Sequence, residues 1–319
     1  MIAPLSFTRS RAASALFLLC WFCPLFETYP QTTPAVSPMI GTPKASATSR
    51  LETFLKTLSD SLNAELSVAF RDLATEEEYT FNAKTLMHAA STMKVPVMIE
   101  VFRQAEQGKF KLSDSVLVKN QFASIVDGSP YRLDLADDSD EAIYKALGQR
   151  RAIQQLVEAM ITVSSNLATN LLIEMVGAQN VMQTLHALGI ANLHVLRGVE
   201  DGKAFQAGLN NRTDAHSLML VMRAIAAERA ASPASCRAMI DILKAQKFRE
   251  SIPAGLPPEI VVANKTGSIT AINHDAAILF PPGRGPCVLV VLTRGIATNE
   301  RAHAAIAQIT REVFNTFLK

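Results

Sequence analysis

Ser91 and Lys94 stand three residues apart in the stretch HAASTMKVPVMIEVF, residues 88–102. Val95, Val97, Met98, Ile99 and Phe102 mark an apolar helix that begins there. Residues at i and i+3 of a helix share a face, so the Lys94 amine can reach the Ser91 hydroxyl. A lysine in the first turn lies at the positive end of the helix dipole, and its apolar neighbours leave it little water. Both effects favour the neutral amine. A neutral amine beside a hydroxyl is a base beside a nucleophile, which is the chemistry of acyl transfer. The plain alternative is a capping serine followed by an incidental lysine, because Ser-x-x-Lys is short and common.

Two further clusters bear on that choice. MITVSSNLATN puts Ser164 and Asn166 at the junction of two helical patterns, where a hydroxyl and an amide can project into a cleft. ANKTGS puts Lys265, Thr266, Gly267 and Ser268 at the end of a strand pattern. There the lysine can hold an anion, and the glycine lets a substrate approach the backbone closely. Taken singly, Ser164 is a helix cap, Asn166 a turn residue and Lys-Thr-Gly a solvated strand end. Together and in this order they are harder to dismiss.

The order Ser-x-x-Lys, Ser-x-Asn, Lys-Thr-Gly resembles the penicillin-recognising serine hydrolases, most closely the class A β-lactamases. The resemblance runs over about residues 50–319 and includes the order of strands and helices. It implies that Ser91 is the acylated nucleophile, Lys94 its proton partner and Ser164 a proton shuttle to the leaving nitrogen. By the same resemblance Asn166 hydrogen-bonds the substrate's side-chain amide, and Lys265 and Thr266 hold its carboxylate. The backbone N–H groups of Ser91 and Ser268 then form the oxyanion hole.

The sequence departs from the family pattern in three places. Ser165 replaces the middle aspartate of Ser-Asp-Asn, a carboxylate that supports the loop in the family. The segment from Val118 to Gln149 looks longer than its counterpart. It places Tyr131 at the lip of the cleft and its acidic part in a solvated surface loop. The third departure concerns the carboxylate that activates water for deacylation, within VLRGVEDGKAFQAGLNNRTDAHS. Spacing back from Leu209 and Asn210 points to Gln206, which is no base, whereas position after Arg197 points to Glu200, with Asp201 beside it. Glu200 is favoured because loop lengths drift more easily than a catalytic carboxylate is lost. A simple Glu200–Arg197 ion pair is the alternative.

The elements that must position these residues follow from periodicity. Leu51, Phe54, Leu55, Leu58 and Leu62 recur at helical spacing, and LSVAFRDL and EYTFNA alternate as a hairpin. Residues 86–254 are mainly helical. EIVVANKTG, DAAILF and CVLVVLTRG read as strands, and NERAHAAIAQITREVFNTFL as an amphipathic closing helix. The expected fold is α/β: an antiparallel sheet flanked by N- and C-terminal helices, from residues 51–85 and 255–319, with the helical part inserted between strands. The cleft between the parts is the natural site. His274 either looks into it on the carboxylate side or is a surface residue at a strand end.

Before residue 51 the composition changes. Arg9 and Arg11 precede the apolar run AASALFLLCWFCPLF, too short to span a bilayer, so residues 1–30 read as a signal peptide, with an uncleaved anchor as the alternative. Residues 31–50 read as a flexible Pro/Thr/Ser-rich linker. Beyond the leader, Cys236 and Cys287 remain, with no spacing that indicates a disulfide.

A formal net charge of +2, from 31 Lys and Arg against 29 Asp and Glu, gives no nucleic-acid surface. Gly-x-Ser-x-Gly, His-Glu-x-x-His, a pair of Cys-x-x-Cys motifs and a glycine-rich phosphate loop are all missing from the sequence, so no cofactor and no metal ion is expected. The expectation is a monomeric, periplasmic or secreted serine hydrolase that opens β-lactams through a Ser91 acyl-enzyme, with no stable membrane partner once the leader is cleaved. A D-alanyl-D-alanine peptidase or esterase acting on cell-wall peptide, and a slow-turnover penicillin-binding protein, are the alternatives. Ser91→Ala should abolish covalent labelling by penicillin, read by mass spectrometry of the intact protein; labelling that survives removes Ser91 from the reaction.

Overall fold

The computed structural model describes residues 43–319. The expected signal peptide and most of the expected linker lie outside the described residues. The last part of that linker is a correction: the first helix runs from Pro43 to Leu62, so residues 43–50 are helical and not a flexible tether. A proline in the first turn suits a helix start, and the Ser, Thr and Ala that suggested a loose tether are compatible with a helix once its later turns pack on the sheet.

Five strands form the sheet: β1 (Glu65–Asp72), β2 (Glu78–Phe81), β3 (Val261–Ile269), β4 (Ile272–Phe280) and β5 (Cys287–Arg294). Their order is β2-β1-β5-β4-β3, and every neighbouring pair is antiparallel. The two chain ends therefore meet at the centre of the sheet, where Val68 pairs with Val291. Both faces are covered, which explains why CVLVVLTR is a continuous apolar run and not an alternating one.

The longer helices are α1 (Pro43–Leu62), α2 (Lys94–Glu106), α3 (Ile153–Thr162), α4 (Asn166–Val176), α5 (Ala178–Ala187), α6 (Ala215–Ala226), α7 (Pro233–Lys244) and α8 (Asn299–Phe317). Leu51 and Leu55 of α1 and Ile306, Ile309 and Val313 of α8 share one core with Val68, Phe70, Leu289 and Val291. On the opposite face Ala69, Val288 and Val290 share a second core with Met219 and Met222 of α6 and with the rest of the helical part. Within that core α2 is buried on nearly every side from Lys94 to Phe102, with the polar Lys94, Glu100 and Gln104 enclosed among its apolar residues. Cys236 and Cys287 are both buried as free thiols.

The long segment before α3 is not one loop. It holds a small hairpin of Phe122–Ala123 with Pro130–Tyr131 and a 3₁₀ turn at Leu135–Asp137.

Gly255 ends the 3₁₀ turn Ile252–Gly255, which docks on α8. A Cβ there would meet the Ala307 carbonyl oxygen well inside van der Waals contact and Thr310 Cβ at 2.7 Å. Gly255→Ala should cost about 2 kcal/mol through overpacking. The thermal midpoint should fall by roughly 5 °C; an unchanged melt would show that the turn and α8 separate freely.

Candidate active site

Ser91 lies in a 3₁₀ turn, Ala90–Met93, that runs directly into α2. The turn is tied down on several sides. Ala89 N–H donates to Asn211 O at 2.9 Å, and Thr92 Oγ1 donates to Ala89 O at 2.6 Å. His88 Nδ1 accepts from Ala90 N–H at 3.0 Å, which fixes its proton on Nε2. Burial and the nearby Arg197 and Arg212 lower the pKa of His88, consistent with a neutral ring. Behind the turn passes β3. A Cβ on Gly267 would sit 3.0 Å from both Ser91 N and Thr92 N. The glycine therefore lets β3 pass close behind the nucleophile's own turn, and it also lines the smaller cavity beside Ser91.

Lys94 is fully buried, and its Nζ reaches Ser164 O at 2.7 Å, Asn166 Oδ1 at 2.8 Å and Ser164 Oγ at 3.2 Å. Lys265 is equally buried, with Nζ bonded to Ser164 Oγ at 2.9 Å and Thr266 O at 2.9 Å. One hydroxyl thus joins two amines from opposite sides of the cleft. Desolvation lowers the Lys94 pKa to about 7, although Asp138 and Glu200 pull it upward. Desolvation and then the charge of Lys94 push Lys265 well below its ordinary value, against Asp275. A neutral Lys94 has two N–H groups for the two carbonyl-type acceptors. Its lone pair is then left for a hydroxyl proton.

Asn166 connects this pair to the third group. Its Oδ1 faces Lys94, while its Nδ2 donates to Glu200 Oε1 at 2.7 Å and to Asp137 O at 3.0 Å. Both amide protons are engaged within the protein, so the side chain must exchange a partner before it can bind a substrate amide. Glu200 is half-buried, and burial raises its pKa; the Asn166 hydrogen bond opposes this and Asp137 and Asp138 reinforce it.

The loop that presents Glu200 is held by hydrogen bonds on both sides. Asn170, one turn beyond Asn166 on α4, accepts from Val199 N–H at 2.7 Å and donates to Val199 O at 3.0 Å. Gly198 leaves room for that clasp, since a Cβ there would overlap the Asn170 amide. Arg197 closes the loop on itself through Leu209 O, Gly198 O and Asn210 Oδ1. No ion pair joins Arg197 to Glu200 among the described residues.

Two cavities meet at Ser91. The larger, about 990 Å³, is lined by Ser91, Asn166 and Glu200. The smaller, about 310 Å³, is lined by Ser91, Ser164, Thr266, Ser268 and His274. Eight non-glycine residues have positive φ among the described residues, and three of them, Ala90, Ser164 and Glu200, lie at this junction. Strain of this kind concentrates at functional sites.

A sequence profile of the beta-lactamase enzyme family matches residues 50–317. The chain belongs to this family. Among its relatives is the beta-lactamase Toho-2 of Escherichia coli, 28% identical over 267 residues, which are 79% of this chain and 84% of that one. The crystal structure of a beta-lactamase from Sphaerobacter thermophilus superposes with a TM-score of 0.71 at 26% identity, over 86% of this chain and 97% of that one. A PBP-A variant, solved as its acyl-enzyme with penicillin G, shares the fold with a TM-score of 0.73 at 23% identity, over 86% and 96%. The α/β fold and the class A-like serine hydrolase frame are therefore those of the family.

Of the other candidates in this beta-lactamase family site, Asp201 and His274 also line the two cavities but have side chains tied up in buried hydrogen bonds, whereas Gln206 and Tyr131 line neither. Gln206 is exposed on the short helix Gly202–Gln206 and lines neither cavity. Asp201 is buried at the start of that helix, bonded by Ala204 N–H, Ile125 N–H and Ser124 Oγ. Tyr131 is not at the lip of the cleft: its hydroxyl donates to Val199 O at 3.3 Å, behind the Glu200 loop. His274 lines the smaller cavity yet is 1% exposed, with Nε2 2.9 Å from His88 O, so it braces the nucleophile turn. Burial brings its pKa to about 4, which keeps it neutral.

His88, Asp138, Asn170 and Gly198 escaped the sequence reading; only Asn170, four residues after Asn166 on one helix face, carried a usable signal. NMR titration of the Lys94 side chain should show a midpoint near 7, not 10.5. Glu200→Gln should move it lower still, because that carboxylate favours the ammonium; a midpoint near 10 would mean that Lys94 is not desolvated.

Proposed function

We propose that the protein opens the β-lactam ring by acyl transfer to Ser91 and then hydrolyses the ester with Glu200 as the base. The observation that carries this reading is the placement of Ser91 and Glu200 on one cavity wall, with Asn166 bonded to both Lys94 and Glu200. Ser91 Oγ attacks the ring carbonyl as its proton passes to neutral Lys94. The ring C–N bond then breaks, and Ser164, bonded to both lysines, delivers a proton to the departing nitrogen and recovers one from Lys94. The N–H groups of Ser91 and Ser268 receive the developing oxyanion. Lys265, Thr266 and Ser268 hold the substrate carboxylate beside the smaller cavity.

Deacylation uses a different route. A water between Glu200 and the ester gives its proton to the carboxylate and attacks the carbonyl, and Ser91 leaves with a proton. The raised pKa of Glu200 makes it a better base than an ordinary carboxylate, at the cost of activity in acid. The Arg-led apolar run at the N-terminus supports export to the periplasm or the medium.

A stable penicillin trap remains the competing outcome. Glu200→Gln should accumulate an acyl-enzyme, seen as a mass increase equal to the intact β-lactam, while Asp201→Asn turns over a chromogenic cephalosporin normally. Hydrolysis at the parent rate by Glu200→Gln would put the base elsewhere; accumulation by the unmodified protein would replace the hydrolase with the trap.

A further inference from the structure

The family's middle aspartate is Ser165 here, and Ser165 covers only part of its task. It caps α4 by accepting from Ala168 N–H at 3.2 Å. The two preceding N–H groups of the helix, those of Asn166 and Leu167, donate to Asp138 Oδ2 at 3.0 and 2.8 Å. Asp138 lies outside the motif, in the long segment before α3, and its neighbour Asp137 accepts the Asn166 side-chain amide through its carbonyl oxygen. That segment therefore holds Asn166 at both its backbone and its side chain.

We propose that Asp138 is the positioning carboxylate of the Ser164–Asn166 turn, supplied by a remote segment in place of the aspartate the motif lacks. The inference rests on the Ser91 acyl-transfer reading above. Three observations support it. Asp138 sits at the positive end of α4, where a carboxylate is stabilised by two N–H donors and the helix dipole. Asn166, which it orients, is the connector between Lys94 and Glu200. Its charge also acts on the groups around it: Lys94 and Glu200 both hold a proton more tightly for its presence, as do Asp140 and Tyr144. Facing Lys94 from the other elements are Glu200 and, through the Ser164 hydroxyl, Lys265. Facing Glu200 is Asp137. The acidic part of the long segment is thus not a merely solvated loop.

The test measures acylation of the full protein by penicillin G with mass spectrometry across pH. In Asp138→Ala, acylation should fall roughly tenfold or more, as expected when a reacting group loses its orientation. Its acid limb should move to lower pH, because Lys94 loses a carboxylate that favoured its ammonium form. Asp138→Asn keeps an acceptor oxygen for the two N–H groups, so it should lose less rate and show the same shift of the limb. Adding Ser165→Asp to Asp138→Ala should restore most of the rate. Parent-like acylation by Asp138→Ala overturns the proposal, and so does a slow Asp138→Asn whose acid limb has not moved, since loss of fold alone lowers the rate without moving that limb. If the parent itself is never acylated, the acyl-transfer reading fails instead.

Discussion

Two lysine amines out of contact with water share one hydroxyl, and the rest of the site is arranged around that fact. Neither Lys94 nor Lys265 has a carboxylate in direct contact among the described residues, although burial of a bare ammonium is costly. The compensating charges stand one step away: Glu200 and Asp138 act on Lys94, and Asp275 acts on Lys265. That separation keeps the lysine basicities low without quenching them in ion pairs. Asn166 acts as a polar spacer here, because an amide passes hydrogen bonds to both neighbours while carrying no charge.

Holding this arrangement requires strain and close approach. Ala90, Ser164 and Glu200 each adopt a left-handed backbone, which costs on the order of 1–3 kcal/mol apiece for residues with a Cβ. Gly267 and Gly198 lie where chain segments nearly touch, one against the nucleophile turn and one against Asn170. The two large cores offset these costs. Both sheet faces and nearly all of α2 are buried, so the turns at the junction are fixed from behind by apolar packing.

Much of this was legible from residue types. Apolar periodicity located the sheet strands and the main helices, because burial acts on every turn and every second strand residue. Ser91, Lys94, Ser164 and Lys265 were each legible in a local motif, and the resemblance to the family joined them into a set. What escaped were partners far apart in sequence: His88 with His274, Asn170 with Val199, and Asp138 with the start of α4. No spacing rule foresees a hydrogen bond between segments that only tertiary folding brings together. Gly267 shows a subtler case: a close approach at this glycine was legible, and the nucleophile turn packed against it is a further neighbour that no local spacing reveals. Residues 43–50 have a loop-like composition, yet they extend a helix whose packing on the sheet begins only at Leu51.

The pairing of β1 with β5 places partners from opposite ends of the chain at the centre of the sheet. Such long-range closure carries a large entropy cost before any contact compensates for it, and folds rich in it form slowly. Because β3, the edge strand beside β4, also closes the back of the Ser91 turn, a molecule with only the helical part in place would lack that wall. The nucleophile would remain incompletely enclosed until the last strands joined. Reactivity at Ser91 thus depends on strands supplied from the far end of the chain, and it reports on the integrity of the whole sheet.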